Sequence, residues 1–140
     1  MTLKVTKVEM WSTTIDDRAG GLADKIDPLT KAGASFEFVF ARRMPEQPGR
    51  GLCLISPVKG RKVTAAATAI GFTRALDITA LRIDGGDKPG SAARITRALA
   101  GARISFRGLS AASIGTKFVA YLAFDNADDA AKAAVALRKA

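Results

Sequence analysis

Asp87-Lys88-Pro89-Gly90 has a second copy, Asp17-Arg18-Ala19-Gly20, seventy residues earlier in the chain. Each copy stands between a strand-like run and a helix-like run, so each reads as a strand-to-helix turn. Pro89 fixes its own φ, Gly90 lets the backbone turn or approach a ligand closely, and an acidic side chain sits near the helix start. A turn of this kind leaves backbone N–H groups free to hold an anion.

At the same shift, Ala23/Ala93, Leu29/Leu99, Ala32/Ala102, Ser35/Ser105 and Phe36/Phe106 are also identities. The chain is therefore read as a tandem repeat, with Asp77 as the boundary between residues 1–77 and 78–140. Units of this size bury only about 60% of their unfolded surface, so neither half is expected to be comfortable alone.

Composition narrows the class. Hydrophobic residues make up 48% of the chain and charged residues 25%, enough for a core in each repeat with no low-complexity segment. The longest apolar run, Leu52 to Val58, is too short to span a bilayer. No signal peptide is read ahead of the first strand, and one cysteine permits no internal disulfide, so a cytoplasmic location and no membrane association are expected. The net charge of +9 admits an acidic partner, but Lys and Arg are spread along the whole chain, which favours solubility over polyanion binding.

In chain order, Val5 to Trp11 reads as one strand. Leu22, Ile26 and Leu29 recur at helical spacing over 20–32, with Pro28 expected to kink or restart the helix and Gly33 to end it. Ser35 to Ala41 alternates, placing Phe36, Phe38 and Phe40 on one face, read as a core face rather than a base-stacking one. A loop rich in Pro and Gly leads to a third strand, Gly51 to Pro57, where Cys53 reads as a small buried hydrophobe. Val63, Ala66, Ala67 and Ile70 stripe a second helix whose start carries Lys59, Arg61 and Lys62, the wrong sign for the helix dipole. Residues 72–84 hold either one bent strand or two in series.

The second copy continues with a helix over 91–100 burying Ala92, Ile95 and Leu99, strands at 103–109 and 117–124, and a final helix capped by Asn126. Asp128 and Asp129 in its first turn and Arg138 and Lys139 in its last suit its dipole. Each repeat reads strand, helix, strand, strand, helix, but only the first has a fourth strand. The edge left open is expected to be covered by the 72–84 stretch or by another copy of the chain.

This βαββαβ order with its Asp-x-Pro-Gly turn resembles the ACT domain family, small ferredoxin-like regulatory modules that bind amino acids. The carrying residues are 87–90 with Leu99 and Ile104-Ser105-Phe106, and in the first copy Asp17 to Leu22, Leu29 and 32–36. Two departures stand out: Ala19 replaces the usual proline, and the last strand is missing. The resemblance implies an α+β fold of two ferredoxin-like units in tandem, the second lacking its last strand. It also implies an allosteric amino-acid sensor, a dimer, whose ligand or a similar small carboxylate sits at the turns where two ACT units meet. The residues so implied are Asp17, Arg18, Ala19, Gly20 and Gly21, and Asp87, Lys88, Pro89, Gly90 and Ser91.

Two other classes fit the sequence less well. A nucleic-acid-binding ferredoxin-like protein, the alternative reading, needs exposed aromatics on central strands, and Leu52 to Pro57 has none. An enzyme is not expected: without histidine there is no Ser-His or Cys-His pair and no histidine metal site, and no glycine run forms a P-loop. No cofactor or metal is implied.

Overall fold

The computed structural model describes residues 3–86 and 89–140. Two compact units emerge, one of Glu9–Ala75 and the other of Leu76–Ala140 joined by the N-terminal strand.

In the first-named unit the elements are β2 (Trp11–Asp16), α1 (Gly21–Lys31), β3 (Phe38–Arg43), β4 (Arg50–Ser56), α2 (Arg61–Ala69) and β5 (Thr73–Arg74), after β1 (Lys4–Val8). They make an antiparallel sheet in the order β3-β4-β2-β5. This is the ferredoxin-like order, in which the first and third strands of the unit lie at the centre. Trp11, Ile15, Leu29, Cys53, Ile55, Ala67 and Phe72 form its core. The apolar spacing along α1 buries Leu29, with Leu22 and Ile26 packed against the same cluster. Pro28 lies inside a single continuous α1 and does not restart it.

The other unit runs β6 (Thr79–Gly86), α3 (Ser91–Gly101), β7 (Gly108–Ile114), β8 (Lys117–Phe124) and α4 (Ala127–Lys139). Its sheet also has four strands, ordered β1-β6-β8-β7. The missing fourth strand is thus supplied by β1, which pairs with β6 from Lys4↔Asp84 to Val8↔Ala80. Leu3 and Val5 enter that unit's core beside Ile83, Ile95, Leu99, Leu122, Phe124 and Leu137. The expected cover, residues 72–84 or another copy, is not what fills this edge. The division at residue 77 is corrected likewise, because the hydrogen-bonded ladder of β1 ties it to the later unit. Reading 5–11 as one strand fails for the same reason: the chain leaves one sheet after Val8 and enters the other at Trp11.

Both helix-to-strand connections start their strands later than alternation predicts. Ala34 N–H and Ile104 N–H bond back to the carbonyls of Leu29 and Leu99, both at 3.0 Å, so these residues close the helix end before any ladder begins. Ile104 is consequently buried but not in a strand, and β7 starts at Gly108, not Arg103. The phenylalanine face also divides. Phe36 packs against the core, whereas Phe38 and Phe40 pair with Ser56 and Leu54 on the face away from Cys53 and Ile55. Their rings lie nearly parallel, 6.5 Å apart at the centroids. Ala92 is exposed rather than buried on α3. Asn126 does cap α4, accepting from Asp129 N–H at 2.8 Å. No described helix is long and apolar enough to cross a membrane.

Candidate functional site

The strand-to-helix turn of the Glu9–Ala75 unit is built by short-range bonds from Asp16 onward. Arg18 N–H donates to Asp16 O at 2.9 Å and Gly21 N–H to Arg18 O at 3.0 Å. Gly20 then sits at φ 86° and ψ −10°, a left-handed conformation that glycine adopts at no steric cost, and its carbonyl accepts the first bond of α1 from Asp24. A Cβ on Gly21 would lie 2.1 Å from the carbonyl oxygen of Asp16, so the strand end and the helix start approach each other only through glycine.

No side chain caps α1. The Asp17 carboxylate, expected near the helix start, is drawn aside and accepts from Arg43 Nε at 2.8 Å, while its N–H donates to Gly49 O at 3.0 Å. Arg18 reaches forward to Asp24 and also donates to Ala19 O at 3.0 Å; the Asp24 contact holds its guanidinium pKa above the ordinary value. Arg50 Nη1 donates to Asp16 at 2.8 Å and its Nη2 to Thr14 Oγ1 at 2.6 Å. The turn is therefore an exposed network of three arginines, 18, 43 and 50, against Asp16, Asp17 and Asp24. Arg43 and Arg50 were not among the sequence-predicted site residues. Their signal was present in the basic Arg42-Arg43 pair and in the β3–β4 hairpin, which sets Arg43 opposite Gly51 and brings Arg50 opposite Asp16 through β4.

In the other unit, Asp87 and Lys88 lie outside the described residues. Pro89 and Gly90 form an exposed turn, and Gly90 repeats the geometry of Gly20 with φ 89° and ψ 4°. Its carbonyl accepts from Arg94 N–H at 2.8 Å, and Ser91 Oγ donates to Gly86 O at 3.3 Å. Nothing lies within 4 Å of where a Gly90 Cβ would stand. The N-cap residue here, Gly90, likewise offers no side-chain bond to the helix start. In both units the first-turn N–H groups of the helix have no intrahelical acceptor, and the positive end of the helix dipole faces outward.

Of the ten sequence-predicted residues the eight described ones fall at two turns, Asp17 to Gly21 in one unit and Pro89 to Ser91 in the other. Cys53 is not part of either: it is fully buried, and that burial pushes its thiol up to about 11. Among the described residues no group of three or more Cys, Asp or Glu side chains is arranged to hold a metal ion.

No family model matches the sequence, and no curated protein matches it. Solved structures do match its fold. A protein of Bacteroides thetaiotaomicron aligns over 96% of this chain and 89% of its own at 12% identity, with a TM-score of 0.77. The regulatory subunit of aspartate kinase from Thermus thermophilus, in its ligand-free form, aligns over 99% of this chain and 93% of its own at 14% identity and a TM-score of 0.64. The corresponding subunit from Thermus flavus aligns over 99% and 96% at 14% identity and a TM-score of 0.62. At these identities the likeness is one of fold, and it is the ACT-like fold of tandem ferredoxin-like units.

Proposed function

We propose that this chain is a cytoplasmic regulatory module that binds an amino acid or a similar small carboxylate and acts allosterically, as a homo-oligomer, without catalysis of its own. The observation that carries this reading is the repeated geometry of Gly20 and Gly90, left-handed in both units and each opening a helix whose N-cap residue has no side chain to bond over its first turn. A ligand carboxylate accepts from those N–H groups and gains from the helix dipole. In the Glu9–Ala75 unit the ammonium group of the ligand shares the Asp17 carboxylate with Arg43; Asp87 is its counterpart by sequence. The fold shared with regulatory subunits of aspartate kinase supports a regulatory role over an enzymatic one.

A thermal-melt panel of the common amino acids tests this. At about a hundred times its dissociation constant a true ligand stabilises the fold by about 2.7 kcal/mol, a melting shift of a few degrees. Asp17→Asn and Asp87→Asn remove the charge that pairs with an ammonium, and each should reduce the shift. If no amino acid moves the melting point of the unmodified chain, the turns are structural and the reading fails.

A further inference from the structure

Helices α3 and α4 flank an open groove of about 520 Å³, floored by Ala93, Ala98 and Ala136 and rimmed by Arg94, Arg97 and Lys139. Among the described residues no acidic side chain lines it, though Ala140 does, and its carboxyl oxygen accepts from Arg94 Nη2. Shifted by the seventy-residue repeat, the places of Arg94 and Arg97 are held on α1 by Asp24 and Asp27, and those of Ala93 and Ala136 by Ala23 and Ala66. The two helical surfaces thus match in alanine at two positions and reverse charge at two, while Ala98 and Lys139 are matched by Pro28 and Ala69. Asp27 and Arg97 are both exposed, and among the described residues neither has an ion pair.

We propose that the α1 surface bearing Asp24 and Asp27 of one copy docks on the α3–α4 groove of a second copy, the two aspartates facing the two arginines. The partner is identified by charge. With a net charge of +9, copies of this chain repel at a distance, so association needs a local reversal of sign, and α1 supplies it. Packing α1 on α1 would oppose aspartates, and α3 on α3 would oppose arginines; only the mixed pairing has opposite charges in contact. Alanines on both surfaces let the helix axes approach to roughly 8–10 Å. Arg18 already holds Asp24 and Ala140 O accepts from Arg94, so the docking pair that carries the attraction is Asp27 with Arg97. The inference rests on the homo-oligomer part of the preceding reading and not on any ligand.

Sedimentation equilibrium of the full chain tests it through two charge-reversed variants, R94E/R97E and D24K/D27K. The unmodified chain should self-associate, more weakly as salt rises, and each variant alone should associate at least about tenfold more weakly. An equimolar mixture of the two variants should regain association, because each supplies the surface the other has lost. That recovery also excludes misfolding as the cause of the loss. An oligomer indifferent to both variants, or a mixture no tighter than its components, overturns this surface while leaving the homo-oligomer reading intact. A monomeric unmodified chain overturns both.

Discussion

Val5 stands directly across from Ile83 in the antiparallel β1–β6 ladder, and its carbonyl also accepts from Arg138 Nη2 of α4 at 3.0 Å. A residue from the start of the chain is thus held by the first strand and the last helix of the later unit. Val5 is 7% exposed and belongs to that unit's core. Val5→Asp places a carboxylate there without a partner and should destabilise by about 3 kcal/mol or more. Lys4→Glu, at an exposed place on the same strand, should change stability by no more than about 0.5 kcal/mol. Urea unfolding followed through Tyr121 on β8 measures the difference; equal midpoints for the two variants would mean that β1 is not integral to the sheet.

The two turn glycines should differ in what they tolerate. Gly21→Ala drives a Cβ to 2.1 Å from the Asp16 carbonyl, a contact relieved only by moving the strand end, at a cost of about 2–3 kcal/mol. Gly90→Ala meets open space and bears only the left-handed penalty, about 1 kcal/mol. Melting curves of the two variants should rank in that order, and the reverse order would contradict the close approach at Gly21.

Arg103 is the one described residue other than glycine at positive φ, 58°, and it holds the place that Gly33 holds in the first copy. Both residues close a helix with the same pair of backbone bonds. Arg103→Gly should therefore raise stability by about 0.5 kcal/mol: relief of about 1 kcal/mol of strain, partly offset by the freedom of glycine in the unfolded chain. The exchange Gly33→Arg should lower it. Chemical denaturation resolves the sign, and a loss of stability in Arg103→Gly would show that its side chain contributes more than its backbone costs.

Cys53 should make stability fall at alkaline pH. Burial holds its thiol up at about 11 against an ordinary 9.0, with Lys25 pulling weakly the other way. The folded state thus keeps a proton that the unfolded chain releases. The contribution is fully present below pH 9 and is lost as pH rises from 9 through 11, at most about 3 kcal/mol in all. The difference in stability between the unmodified chain and Cys53→Ala should shrink across that window. Thiol labelling under native conditions should be slow and track unfolding; rapid labelling would contradict the burial.

The local chemistry of the chain was legible without coordinates. Helical spacing of Leu22, Ile26 and Leu29, the Asn126 cap, and the seventy-residue echo of Asp17 and Gly20 in Asp87 and Gly90 depend on neighbours within a few turns, and they fix two ferredoxin-like units and the positions of their turns. What the sequence did not disclose were partners distant along the chain. β1 carries no mark that it pairs with β6 rather than continuing into β2, because a short strand of alternating residues suits either sheet and only the vacant edge beside β6 selects one. In the same way Asp17 could have capped α1, but the β3–β4 hairpin brings Arg43 within 2.8 Å of it, and a charged donor outcompetes the local backbone N–H. Strand pairing and ion pairing are settled by which groups the fold brings together, and that is decided by burying two cores at once.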